Sequence, residues 1–129
     1  FKALDGIRLK LDKEGCLVVD APDITDKLIY TNDIVNMHDE ENFTYLGRRD
    51  NVINSGGVKI FPEVVERKLA SHIRLPFFVY GIPDKVLGEK LVLVVEGEER
   101  QLQEFKLNQT SLKGLDKFEV PKEILYFIL

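Results

Sequence analysis

The sequence Tyr45-Leu46-Gly47-Arg48-Arg49-Asp50-Asn51-Val52-Ile53-Asn54-Ser55-Gly56-Gly57-Val58-Lys59-Ile60 places charged and small polar residues between two apolar segments. A packed core does not accommodate this mixture, because charged side chains are rarely buried without a partner. Gly56 and Gly57 lack a Cβ atom and can adopt the positive φ that a tight turn requires. The segment therefore predicts a sharp hairpin that faces something polar.

Upstream of this hairpin, apolar and polar residues alternate with the period of half-buried strands. The strands predicted from this alternation are residues 7–11, 16–19, 28–35 and 43–46. The third is expected to end in a turn that presents the carboxylate of Asp33, either as a structural turn residue or as a ligand. Because two-stranded hairpins are marginal alone, we interpret residues 1–48 as part of a larger β subdomain.

Downstream of the hairpin, strands and helices are mixed. The predicted elements are a helix at 61–73, a strand at 75–82, a loop at 83–90, a strand at 91–95, a helix at 99–114 and a strand at 123–129. One helix face would carry, at i, i+4 spacing, Phe61, Val65, Leu69 and Ile73. The predicted fold class is α+β: a small domain at 49–129, with a few-stranded central sheet and flanking helices, preceded by the partial β subdomain.

Composition excludes several classes of function. The 129 residues are 44% hydrophobic and 31% charged, which indicates a globular protein, and no apolar run approaches the ~20 residues that span a bilayer. The net charge of -4 argues against nucleic-acid or anionic-membrane partners, which select clustered positive charge. Cys16 is the only cysteine, so we expect a buried structural thiol, no metal site and a cytoplasmic location.

Two groups of residues in and beside the hairpin could bind a ligand. The Gly56-Gly57 backbone allows close approach to a phosphate, but the segment lacks the endings of a Walker loop or a dinucleotide-binding turn. A carboxylate such as Asp33 can hold ribose hydroxyls while a guanidinium such as Arg48 holds a phosphate. The residues alone predict a nucleotide or phosphoester site, with an ordinary turn and solvated arginines as the alternative.

Taken in order, several short motifs resemble the adenylate-forming acyl-CoA synthetase superfamily. The matching pieces are residues 30–33, 43–57, 60–66, 80–84, 88–89 and 118–121. Each piece is weak alone, but the ordered set covers nearly the whole chain. Residues 50–57, Asp-Asn-Val-Ile-Asn-Ser-Gly-Gly, are most similar to those of the o-succinylbenzoate–CoA ligases of menaquinone biosynthesis.

The resemblance implies a two-step ligase reaction in a parent protein. A small carboxylic acid, here o-succinylbenzoate, attacks the α-phosphate of ATP with Mg²⁺ to give an acyl-adenylate and diphosphate. Coenzyme A then displaces AMP to give the thioester. A ligase for another aryl or acyl acid, an adenylation domain serving a carrier protein, and a stand-alone binding module remain alternatives. A homo-oligomer formed through exposed strand edges is a further expectation.

The resemblance also implies roles for individual residues. Asp33 would hold the ribose hydroxyls of the adenylate, and Arg48 would lie at its ribose-phosphate side. Asp50 matches the hinge about which the small domain swings between the two half-reactions. The residues implied to lie near coenzyme A are Ser55, Gly56, Gly57 and Lys59. Asn32 replaces the usual glycine of a Thr-Gly-Asp motif, and asparagine tolerates the left-handed conformation of such a turn.

The resemblance places the lysine that assists adenylation beyond Leu129, and the phosphate-binding loop ahead of Phe1. Residues 1–48 would then be the end of the large adenylation domain, and residues 49–129 a mobile C-terminal lid. We therefore expect this chain to contain no catalytic residue and to be inactive alone.

Overall fold

The computed structural model describes all 129 residues, which form two compact units. The first unit comprises Phe1–Asn51 and the second Val52–Leu129. Each unit contains its own β-sheet, and all three α-helices lie in the second. The predicted α+β class is therefore confirmed.

A four-stranded antiparallel sheet, in the order β1-β2-β3-β4, makes up the first unit. Its strands are β1 (Arg8–Leu11), β2 (Cys16–Asp20), β3 (Ile29–Met37) and β4 (Phe43–Arg48). All four were predicted. Gly15 closes the β1–β2 turn with a φ of +85°, and the Asp12 carboxylate accepts the N–H of Cys16 at 2.8 Å. Cys16 is buried as expected, and burial raises the pKa of its thiol.

Strand β3 differs from the prediction, because it continues through Asp33 to Met37 instead of ending in a turn. The Thr31 hydroxyl donates to the Leu17 carbonyl at 2.7 Å and accepts the Asp33 N–H at 3.2 Å. Asn32 does not adopt a positive φ either, so the left-handed turn considered for it is absent. Strand pairing on both sides of β3 outweighs the turn preference of these polar residues.

The second unit contains a five-stranded mixed sheet organised around one long strand, β8. Its strands are β5 (Ile53–Ser55), β6 (Val58–Ile60), β7 (Phe77–Asp84), β8 (Gly88–Gly97) and β9 (Glu123–Ile128). Antiparallel pairing joins β8 to β7 and, at a single position, to β5, whereas β9 pairs with β8 in parallel. Most of the loop predicted at 83–90 is strand, and Pro83 is tolerated because β7 lies at the sheet edge.

Three helices accompany this sheet: α1 (Pro62–Leu69), α2 (Glu99–Glu104) and α3 (Gln109–Leu112). Pro62 starts α1, where its missing N–H costs nothing. This helix is shorter than the predicted 61–73, although Ile73 beyond its end is still buried. None of the helices is long and apolar enough to cross a membrane.

The prediction of a single helix at 99–114 is wrong, because the structure has two short helices in this range. Phe105 is extended, with φ -69° and ψ 131°, and ends α2. Asn108 then starts α3 by accepting the backbone N–H of Ser111 at 2.8 Å. An N-cap inside the apolar pattern therefore divides the predicted helix.

The core of the second unit contains α1 and β8. Val65 and Leu69 of α1 belong to the same buried cluster as Leu91, Leu93 and Val95 of β8. The intervening β8 residues at 92 and 94 are buried as well, so the prediction that this strand is covered on both faces is confirmed.

Candidate functional site

Asp33 and Arg48 face each other across the β3–β4 pair. They are directly opposite in the strand register, and Arg48 Nη1 donates to Asp33 Oδ1 at 2.9 Å. Their side chains are 32% and 47% exposed, so both are open to solvent. The structure thus brings together the two residues that the sequence indicates for nucleotide binding.

The chemistry of this pair suits a nucleotide. An ionised carboxylate has about four acceptor positions, so Asp33 can accept vicinal hydroxyls as well as the Arg48 N–H. A guanidinium presents planar N–H donors that match the oxygens of a phosphate. The pair therefore combines an acceptor for ribose with a donor for phosphate within one sheet.

A shallow recess of about 210 Å³ lies beside this pair. It is lined by Phe1, Leu17, Asp33, Val35, Phe43 and Tyr45. Phe1 and Phe43 stack there with their ring centroids 5.4 Å apart, and Asp33 supplies the only charged side chain in the lining. Ligand pockets are usually about 300–1,000 Å³, so this unit alone offers space for part of a ligand only.

Arg49 and Asp50 lie in the 3-10 turn that follows β4. Arg49 Nη1 donates to Glu14 Oε2 at 3.0 Å, and this hydrogen bond raises the pKa of Arg49. The first unit ends at Asn51, so Asp50, the residue implied to be the hinge, lies next to the boundary between the units.

The hairpin predicted at the start of the second unit is confirmed. Strands β5 and β6 pair from Ile53 to Ser55, and Gly56 and Gly57 form the two-residue turn. Their φ values of +56° and +82° are of the kind that favours glycine and matches the twist of a hairpin. Lys59 is exposed on β6, one residue beyond the turn's closing pair.

The β7–β8 turn contacts this hairpin and is itself held by the carboxylate of Asp84. Asp84 accepts the N–H of Leu87 at 2.8 Å and that of Val86 at 3.1 Å. The Leu87 carbonyl in turn accepts the N–H of Gly56 at 2.8 Å. An aspartate that accepts N–H groups two and three residues ahead is a recognisable turn signal, and it could have been read from Pro83-Asp84.

The Asp84 carboxylate makes this turn sensitive to acid. Hydrogen bonds from Leu87 and Val86 hold the pKa of Asp84 below its ordinary value. A carboxyl group with a lowered folded-state pKa stabilises the fold above its unfolded pKa of about 4, and this contribution is lost as the pH falls through the folded value. We therefore expect the Leu87 amide proton to lose its hydrogen-bonded NMR shift with a midpoint below about pH 4.

An Asp84→Asn variant serves as the control for this titration, since an amide does not ionise. Its Leu87 amide shift should be flat from pH 6 to pH 2.5, while the amide of buried Leu93 confirms that the sheet is still folded. A wild-type shift that also stays flat would contradict the role of Asp84.

The two groups of candidate residues belong to different units. Asp33 and Arg48 lie in the first, and the hairpin residues, Ser55 to Lys59, lie in the second. No group of three or more His, Cys, Asp or Glu side chains is placed to hold a metal ion. Each group is therefore a separate candidate within its own unit.

No family model matches this chain, but comparisons with individual known proteins find similar ligases. The chain is 37% identical over 87 residues to 3-oxocholest-4-en-26-oate–CoA ligase of Rhodococcus rhodochrous, covering 64% of this chain and 15% of the relative. It is 30% identical to 2-succinylbenzoate–CoA ligase of Bacillus cytotoxicus, covering 96% of this chain and 29% of the relative. The structure of Escherichia coli MenE with a bound m-phenylether-linked analogue of OSB-AMS superposes with a TM-score of 0.71 at 26% identity, covering 96% of this chain and 31% of that one.

The chain is similar to the C-terminal part of adenylate-forming acyl-CoA ligases. Ligases named for different acids match about equally well, so the comparisons support the superfamily without selecting the acid. The chain spans only 15–29% of the length of the two ligases named above.

Proposed function

We propose that the chain is the C-terminal part of an ATP-dependent acid–CoA ligase that works through an acyl-adenylate. The observation that carries the proposal is the Asp33–Arg48 pair, which unites on facing strands the two residues that the resemblance assigns to the adenylate. The proposed acid is o-succinylbenzoate. The 2-succinylbenzoate–CoA ligase relative and the form of residues 50–57 support that choice.

In the first half-reaction, Asp33 accepts the ribose hydroxyls and Arg48 donates to the phosphate side of the nucleotide. A carboxylate oxygen of the acid attacks the α-phosphorus, and the bond to the departing diphosphate breaks. Mg²⁺ enters with ATP as part of the substrate, and the positive charge of Arg48 offsets charge on the transferring group. No residue of this chain is proposed to act as the adenylation lysine.

In the second half-reaction, the sulfur of coenzyme A attacks the acyl carbonyl and AMP leaves. The Ser55–Gly57 turn can approach coenzyme A closely because its glycines have no Cβ, and Lys59 can pair with a phosphate. Residues 1–48 are proposed to be the end of the adenylation domain. Residues 49–129 are proposed to be the lid, which pivots at Asp50 between the half-reactions.

The test uses the ligase encoded by the complete reading frame that carries this chain. With o-succinylbenzoate and ATP it should release diphosphate, and after coenzyme A is added it should form a thioester of the expected mass. The 3-oxocholest-4-en-26-oate–CoA ligase relative favours a second candidate, a bulky acyl acid, which belongs in the same panel. The assignment would be overturned if none of the acids in the panel gave diphosphate release. Thioester formation by the 129-residue chain alone would refute only the expectation that the chain is inactive by itself.

An Asp50→Pro variant tests the hinge. Proline fixes φ near -65° and so restricts any backbone rotation at this position. If the lid pivots here, the variant should keep adenylation within about threefold and lose thioester formation by at least about tenfold. Asp50→Ala leaves the backbone mobile and is the control. Equal losses in both half-reactions of the proline variant would argue against a hinge at Asp50.

A further inference from the structure

The Ser55–Gly57 hairpin is too weak to hold its own shape. Its strands β5 and β6 have three residues each, and both turn residues are glycines. Glycine loses more conformational freedom on folding than any other residue, and an isolated two-stranded hairpin is marginal in water. The conformation of this turn therefore depends on contacts from outside the hairpin.

Such contacts come from the start of β8. Regular pairing between β5 and β8 is limited to Ser55 opposite Gly88. At the adjoining position, a side chain supplies the acceptor: Glu89 Oε1 accepts the backbone N–H of Asn54 at 3.0 Å. Glu89 thus extends the pairing of the hairpin with β8 by one hydrogen bond, and that bond carries a charged acceptor.

The Glu89 side chain occupies a space that the neighbouring strand leaves open for it. A Cβ atom built on Gly81 of β7 would lie 3.0 Å from Glu89 Oε2 and 2.9 Å from Ile53 Cγ1. Glu89 itself is half-buried. The carboxylate is therefore fitted between β5 and β7, unlike a mobile carboxylate on an open surface.

We propose that Glu89 is a positioning residue for the Ser55–Gly57 hairpin, and that it serves the coenzyme A half-reaction while leaving adenylation unaffected. This inference rests on the proposed function, which assigns the hairpin to coenzyme A. Glu89 touches neither substrate, and it acts by holding the Asn54 N–H. Losing one hydrogen bond to a charged group corresponds to roughly a tenfold change in an equilibrium, so KM for coenzyme A should rise about tenfold in Glu89→Ala.

Four variants of the complete ligase separate positioning from general stability. Glu89→Ala removes the acceptor, and Glu89→Asp keeps the charge but shortens its reach. Glu89→Gln keeps an oxygen at the same place and should restore KM to within about threefold of wild type, because an amide oxygen also accepts an N–H. Glu96→Ala is the matched control, since Glu96 is an exposed carboxylate farther along the same strand.

Two readouts are measured for each variant. Acid-dependent exchange of labelled diphosphate into ATP reports adenylation, and the rate of thioester formation against coenzyme A concentration gives KM and kcat for the second step. In the 129-residue chain, hydrogen exchange at the Asn54 amide reports the contact itself. We expect faster Asn54 exchange and a raised KM in Glu89→Ala and Glu89→Asp, with diphosphate exchange within about twofold of wild type.

Equal losses in both half-reactions would overturn the proposal, and so would an unchanged KM or a Glu89→Gln variant no better than Glu89→Ala. A wild-type ligase without acid-dependent exchange would instead overturn the proposed function. The Asn54 measurement does not depend on catalysis. If its exchange is unchanged in Glu89→Ala, the positioning contact is refuted whatever the enzyme does.

Discussion

Replacing Asp33 by alanine in the complete ligase should lower acid-dependent diphosphate exchange at least about 100-fold. Two hydrogen bonds from ribose hydroxyls to a carboxylate would be lost, each worth about 1.5–3 kcal/mol, and each 1.4 kcal/mol corresponds to a factor of ten. The stability of the chain should change little. The Asp33–Arg48 pair is open to solvent on both sides, and exposed pairs contribute about 0–1 kcal/mol.

A large loss of diphosphate exchange together with a small change in stability would identify Asp33 as a nucleotide-binding residue. A Glu14→Ala variant is the matched control, because it removes another exposed ion pair of the same unit, that with Arg49 at 3.0 Å. We expect Glu14→Ala to retain diphosphate exchange within about twofold. An Asp33→Ala enzyme with normal exchange would show that Asp33 does not bind the nucleotide. Loss of folded structure in this variant would contradict the small effect on stability expected for an exposed pair.

A Leu93→Ala variant should destabilise the second unit by about 2–5 kcal/mol. Leu93 is 0% exposed and packs in the cluster that holds Val65 and Leu69 of α1. Truncation would remove buried methyl groups and leave a cavity that the close-packed neighbours only partly fill. Because domains are typically stable by about 5–15 kcal/mol, such a loss is a large share of the total.

Urea unfolding followed by far-UV circular dichroism measures this effect, since the chain has no tryptophan to serve as a fluorescent probe. Leu129→Ala is the matched control, because it makes the same deletion in the same unit at a side chain that is 76% exposed. Its unfolding midpoint should stay close to wild type. A Leu93→Ala midpoint equally close would mean that the cluster around β8 is not the core of this unit.

The elements that the sequence predicted well are those whose signal is local. The turn at Gly56-Gly57 follows from two adjacent glycines between apolar segments, and both have positive φ values. The apolar run 91–95 indicates a strand covered on both faces, and its residues are buried. In each case the preferences of a few neighbouring residues agree with the packing around them.

The elements that it missed have two different causes, long-range strand pairing in one case and an overlooked local helix cap in the other. Thr31, Asn32 and Asp33 are typical turn residues, but pairing with β2 and β4 keeps them in one strand. Conversely, the apolar spacing of 99–114 resembles one helix, and the side chain of Asn108 interrupts it by capping a second.

The candidate site was predictable to a similar extent. The residue types at Asp33 and Arg48 indicate nucleotide chemistry, whereas their adjacency depends on a strand register that includes a shift after Ile34. The contact between Glu89 and Asn54 joins residues 35 positions apart, and no periodic pattern marks it. The reason for a glycine at position 81 lies in the packing of β5, β7 and β8, because a Cβ atom there would crowd Ile53 and Glu89.

The parallel pairing of β9 with β8 orders the folding of the second unit. A short turn joins β7 to β8, so their ladder closes at a small cost in chain entropy. Strand β9 reaches β8 only after the chain has passed through α2 and α3, and such non-local pairing is slow to form. We therefore expect β9 to pair last, and a chain that lacks this pairing would leave residues 92–97 of β8 with one open edge available for misassembly.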